Sequence, residues 1–235
     1  MAEAVARLWA ARGVSLYLVG RNAQKLLAIE QDLRVRAGQS ITIAAAQADL
    51  DDTAGHAALI ERACEALGGL DAALIAHGTL PDQARCQADP REALAQIHTN
   101  GLSVVSLCTL LANRLEAQGI GCIAVITSVA GDRGRQSNYI YGAAKGMVSR
   151  FLQGLRNRLA PRGVAVVDFR PGYIDTPMTI AYKKNRLWAQ PKEVAQDIVQ
   201  GMDRGRDVVY LPRYWRLVML VIRLIPEFVF KRLKL

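Results

Sequence analysis

The sequence predicts an α/β fold, a doubly wound parallel sheet, on three observations. Short apolar runs alternate with helical stretches up to residue 212, the rhythm of repeated strand–helix units. Several of the runs are apolar almost throughout, as strands covered on both faces are. At 235 residues and 51% hydrophobic, the chain is large enough to bury one sizeable core.

Residues 1–12 are helical from the start, with Val5, Leu8 and Trp9 at core spacing and Gly13 as the stop. Residues 14–20 read as a strand, and Asn22 caps a helix over 23–37 that stops at Gly38. A strand over 41–46 runs into Asp49-Leu50, and a helix over 53–67 follows. The buried strand 70–76 ends in His77-Gly78, and one long helix covers 90–118. Then come an apolar run over 120–126 ending beside Ser128, a helix carrying Tyr141, and a strand over 164–169 that leads into Arg170-Pro171-Gly172. A helix over 191–202 and a strand over 208–211 complete the body.

Composition excludes several classes. Cys64, Cys86, Cys108 and Cys122 show no metal-ligand spacing, so no metal site is expected and the thiols read as reduced, in a cytoplasmic protein. The N-terminus has no apolar stretch of the kind a signal peptide needs. Net charge is +9, of which residues 213–235 supply +5. The body carries no basic stripe with interleaved aromatics, which argues against nucleic acid as a partner.

The chemistry is concentrated between Ser128 and Lys145. Ser128 falls just past a strand end, and Tyr141 and Lys145 are four apart on one helical face. A phenol is normally neutral, with a pKa near ~10, and a neighbouring Lys cation is expected to lower it toward working pH. Such a phenol can protonate an oxyanion forming on a substrate carbonyl while a Ser hydroxyl steadies that oxygen. Tyr141 follows Ser128 by thirteen positions, and Pro171-Gly172 and Thr176 come after the next strand. In identity, order and spacing these residues resemble the short-chain dehydrogenase/reductases, and the resemblance covers nearly the whole chain.

That resemblance implies a Rossmann-like domain over 1–212, followed by a basic, apolar tail over 213–235. It implies hydride transfer between NADPH and a ketone or keto-sugar, with Asn100, Ser128, Tyr141 and Lys145 as the catalytic set. Tyr141 gives the proton, Lys145 tunes it and grips the ribose, Ser128 orients the carbonyl, and Asn100 holds a helix irregularity and a proton relay. The cofactor would meet Arg21, Asp49, Leu50, Gly78, Tyr141, Lys145, Pro171, Gly172, Ile174 and Thr176. Arg21 stands where an NAD-preferring relative has an acid, and its planar fork suits a 2′-phosphate, so NADP is expected. His77-Gly78 departs from the family's Asn-rich pattern, leaving Gly78 as the residue that carries over and His77 as a packed loop histidine. Residues 179–185 read as a substrate lid. A homo-oligomer is expected.

The family layout also has a first strand and a Gly-rich turn ahead of the first helix, and neither precedes Ala2. A start upstream of Met1 is the favoured reading. For the residues as they stand, the strands on either side of that position should flank a vacant centre. A non-catalytic relative with a degenerate nucleotide site is the alternative function. In the tail, Arg213, Arg216 and Arg223 share one helical face, and Trp215, Val218, Met219, Ile222 and Pro226 the opposite one. The longest charge-free run is far short of the ~20 residues that span a bilayer, so the expected contact is peripheral, at the inner face of an anionic membrane. A weaker resemblance to reductases of polyprenyl-phosphate-linked keto-pentoses points the same way. The competing reading packs the tail on a partner subunit.

Overall fold

The computed structural model describes residues 1–37 and 41–233, so the stop expected at Gly38 lies outside the described residues. α1 (Ala2–Ala11) leads through Gly13, at φ 76°, to β1 (Leu16–Gly20). The backbone N–H of Lys25 donates to Asn22 Oδ1 at 2.8 Å and so starts α2 (Ala23–Ala37) as the sequence predicts. β2 (Ile43–Gln47), α3 (His56–Leu67) and β3 (Ala72–Ile75) follow. After α4 (Gln83–Ala88), the predicted long helix runs as α5 (Pro90–Ile97), a π turn (His98–Leu102) and α6 (Ser103–Gln118). β4 (Gly121–Ile126), α7 (Tyr139–Leu159), β5 (Val164–Pro171), α8 (Pro191–Asp203) and β6 (Val208–Leu211) complete the body. α9 (Trp215–Leu224) and α10 (Glu227–Phe230) form the C-terminal segment.

All strand pairs are parallel, but the sheet is in two parts. β1 pairs with β2, and β3, β4, β5 and β6 pair in that order. No ladder joins β1 to β3 among the described residues, which is the division the sequence led us to expect. α1 forms the seam. Its Val5 packs with β4, β5 and α8, while Ala6 and Ala10 pack with Leu16, Leu33 and Ile43 of the smaller part.

The larger part is covered on both faces because side chains alternate along each strand. On β4, Ile123 and Val125 join α3, α6 and α7, whereas Cys122, Ala124 and Ile126 join α1 and α8. Each large apolar side chain so buried contributes ~1.5–3 kcal/mol. By length and hydropathy alone 90–118 could cross a membrane, but Val104, Leu107, Cys108, Leu111 and Leu115 of α6 lie in the core.

The C-terminal segment packs back on the body, and this corrects the expected helix face. Trp215 and Met219 are 3% and 0% exposed and meet Val129, with Val218 and Ile222 beside them. The residues expected to enter a membrane are therefore the ones α9 uses to dock. The Arg133 guanidinium closes the end of the helix. It donates to Ile222 O at 2.6 Å and Ile225 O at 2.5 Å, pairs with Glu227 at 2.9 Å and lies 3.7 Å over the Phe230 ring. Carbonyls at a helix C-terminus, short of intrahelical partners, are thereby met by a cation, which the helix dipole also favours.

Candidate active site

Beyond β4 the chain passes through Thr127 and Ser128 into a tight turn, Val129–Gly131, with Ser128 Oγ accepting from Ala130 N at 3.1 Å. That turn rests directly on α7. A Cβ on Gly131 would stand 2.7 Å from Gly146 N, and one on Gly142 would stand 2.8 Å from Ala130 O. Glycine at both contacts lets the Ser128 turn approach the helix that carries Tyr141 and Lys145. The three residues singled out in the sequence thus come together.

Lys145 is buried, its Nζ 5.8 Å from the Tyr141 ring centroid and donating to Ile126 O at 3.3 Å. An ammonium has three donors, so two remain without a protein acceptor among the described residues. Burial lowers Lys145 to about 8, and the Asp168 carboxylate holds it from falling further. Burial pushes Tyr141 up to about 12, against the pull of the neighbouring Ser128 hydroxyl. This corrects the expectation that Lys145 draws the phenol down toward neutral pH: desolvation outweighs the other influences, and Tyr141 is held as a neutral phenol.

Asp168 was not singled out in the sequence, although an acid inside the run Val164-Ala-Val-Val-Asp168-Phe is a signal, because a buried charge needs partners. It accepts from Thr127 Oγ1 and from Arg170 Nε at 2.8 Å, and Arg170 reaches on to Asp132 at 2.9 Å. Tyr210 donates to Asp132 at 2.7 Å. The network ties the ends of β4, β5 and β6 together beneath the Ser128 turn.

Asn100 is buried in the π turn, so the expected helix irregularity is there. Its Oδ1 accepts from Thr79 N at 2.9 Å, and its Nδ2 donates to Gln96 O at 3.1 Å. Gly78, at φ 149°, is where these groups converge: a Cβ there would stand 2.7 Å from Asn100 Oδ1 and 3.3 Å from Lys145 Nζ. His77 is packed, its Nε2 2.9 Å from Ser103 Oγ, and burial followed by the Lys145 charge lowers it to about 4. Ser103 donates in turn to Leu50 O.

Other predicted cofactor residues lie at strand ends. Arg21 is exposed after β1, and its side chain has no acidic partner among the described residues. Asp49 caps the turn after β2, accepting from Asp51 N at 3.1 Å, and Leu50 packs on the core. Pro171 ends β5, and the Trp215 ring occupies the space beside Gly172, 2.0 Å from where a Cβ would be. The Ile174 side chain is buried in the core, leaving its backbone as the available contact. Thr176 forms a capping box with Thr179 at the head of the turn Pro177–Thr179. Of the lid expected over 179–185, Thr179 is half-buried and residues 180–185 are exposed.

The family described as short chain dehydrogenase matches residues 1–187. An uncharacterized oxidoreductase of Mycobacterium tuberculosis (strain H37Rv) is 35% identical over 223 residues, 95% of this chain and 89% of the relative. One from Streptomyces coelicolor is 37% identical over 168 residues, 72% of this chain and 66% of the relative. Levodione reductase shares the fold at a TM-score of 0.82 and 20% identity, covering 92% of this chain and 93% of its own. An alcohol dehydrogenase from Thermococcus sibiricus, complexed with 5-hydroxy-NADP, does so at 0.75 and 20%, covering 88% and 89%. The chain belongs to the short-chain dehydrogenase/reductase family. It is accordingly an oxidoreductase dependent on NAD(P).

Lys145 supplies a pH test. Its folded-state pKa of about 8 lies below the ordinary lysine value of 10.5, so between these limits the unfolded chain holds the proton and the folded chain does not. Raising the pH through that window therefore removes a cost of up to ~3 kcal/mol that Lys145 places on the fold, a relief complete above the ordinary value and absent below the folded one; the buried thiols and Tyr141, whose pKa values burial raises, act in the opposite direction. Across that window, urea unfolding should show wild-type stability gaining this amount relative to Lys145→Met, in which the opposing groups are the same. Equal pH slopes would contradict the buried cation.

Proposed function

We propose that this chain is an NADPH-dependent reductase of a ketone or keto-sugar, with Tyr141 as the general acid. The convergence of Ser128, Tyr141 and Lys145 where the Ser128 turn meets α7 carries the reading. The residues present fit a nicotinamide cofactor. Lys145 keeps two donors free for ribose hydroxyls, Gly78 brings its backbone close beside it, and Arg21 offers an unpaired guanidinium for a 2′-phosphate. Tyr141, Pro171, Gly172, the Ile174 backbone and Thr176 would hold the nicotinamide end, and Asp49 and Leu50 the adenine end.

The cofactor supplies the hydride, and the chain's own residues handle the proton. The Ser128 hydroxyl donates to the substrate carbonyl oxygen and fixes its position. Tyr141, neutral over the working pH range, protonates that oxygen as negative charge develops on it. Lys145 orients the ribose, and its charge favours loss of the phenolic proton once the oxygen demands it. Asn100 keeps the Gly78 backbone against Lys145 and completes the relay that returns a proton to the phenol. The protein works in the cytoplasm as a homo-oligomer, and its basic, apolar C-terminal surface favours a substrate carried on a lipid.

Tyr141→Phe removes the acid while sparing the packing. NADPH oxidation on any accepted ketone should fall by ~10²–10⁴. Wild-type turnover in that variant would rule Tyr141 out as the acid. NADPH should bind more tightly than NADH, and Arg21→Ala should narrow the gap by about tenfold to a hundredfold, the worth of one charge-assisted pair. Cofactor titration by tryptophan fluorescence measures this, and equal affinities for the two cofactors in the wild type would reject the assignment.

A further inference from the structure

α9 carries two apolar stripes, and only one is used. Trp215, Val218, Met219 and Ile222 dock on the body, at spacings of three, four and seven from the first. Leu217, Leu220, Val221 and Leu224 repeat the same spacing two residues on, and they face outward; Leu217 and Leu224 are 66% and 72% exposed. Phe228 of α10 is exposed as well. The cationic residues lie on one flank of this stripe. Arg216 and Arg223, one heptad apart, line a cavity of about 570 Å³ between α9 and β6, with Leu220, Arg170 and Arg206.

Charge balance leaves that cavity cationic. Arg170 is already neutralised by Asp168 and Asp132, and Asp207, the acidic residue of the lining, pairs with Arg156 at 3.3 Å. Arg206, Arg216 and Arg223 have no acidic partner among the described residues. Three unpaired guanidiniums beside an outward apolar stripe match one environment, the boundary between phosphate headgroups and acyl chains. A second copy docking through the same patch fits less well, because it would bring three more unpaired guanidiniums to the contact and no free acid to offset them.

We infer that the outer face of α9 is a docking surface for an anionic phospholipid bilayer, with Leu217, Leu220, Val221 and Leu224 entering the acyl boundary and Arg206, Arg216 and Arg223 holding lipid phosphates. The helix lies flat and its inner stripe stays on the protein. The contact does not depend on the reductase reading, since it is read without turnover.

The test is sedimentation of the whole protein with vesicles of phosphatidylcholine alone or mixed with phosphatidylglycerol, at low and high salt. The mixed vesicles should retain the protein and the neutral ones should not, and high salt should release it. Leu220→Asp with Leu224→Asp should reduce binding about tenfold or more, and Arg206→Gln, Arg216→Gln and Arg223→Gln by about fivefold for each cation removed. Unchanged thermal melts by circular dichroism will separate these losses from unfolding. Failure of the wild type to bind mixed vesicles would overturn the proposal, as would a Leu-to-Asp variant that binds as wild type does. Light scattering showing a dimer that the same variant turns into monomers, with no vesicle binding, would assign the stripe to a second copy instead.

Discussion

The site depends on keeping one ammonium, Lys145, inside the protein. A buried cation without partners is costly, and the fold meets that cost only in part. Ile126 O accepts one donor, and Asp168 supplies the opposing field from within β5. Asp168 is itself tolerable in the core only because Thr127 and Arg170 bond to it, and Arg170 only because Asp132 and Tyr210 extend the network. What remains unsatisfied is the side of Lys145 that meets Gly78, Asn100 and Tyr141. The protein thus leaves its residual demand for hydrogen bonds where a ligand would meet it.

Close backbone contacts deliver that geometry. Gly131 and Gly142 let the Ser128 turn lie on α7, and Gly78 lets the end of β3 lie against Asn100 and Lys145. Behind them the C-terminal segment acts as a brace. Trp215 fills the space beside Gly172 and packs on Val129, while Arg133, five residues after Ser128, locks the far end of α9. One side of α9 is thereby in the same packed unit as the Ser128 turn, and the other side faces solvent.

Much of this was legible in the sequence, for local reasons. The strand–helix rhythm, the Asn22 cap and the Tyr141–Lys145 spacing are set by neighbours along the chain. Asn100 drew notice because it falls where the resembled family keeps a residue at a helix irregularity, and it sits in the π turn. The failures have a shared origin. α9 is apolar on two faces, so periodicity could not say which one docks, and the Val129 surface decided it. Tyr141 next to a lysine reads as a phenol of lowered pKa, yet desolvation by residues distant in sequence dominates. Asp168 passed as one polar letter in a strand because its partners, Thr127 and Arg170, become meaningful only once β4 and β5 are paired. The family match favours the enzyme over the non-catalytic alternative.

The central claim is that a buried Lys145 governs the proton chemistry of Tyr141. The pH profile of kcat/KM for carbonyl reduction tests it most directly, because that parameter reports ionisations of the free enzyme. The account predicts a plateau on the acid side and a fall above about 8, where Lys145 loses its proton, well before the phenol itself ionises near about 12. A profile that stays level through the lysine range and breaks only with the phenol would contradict it.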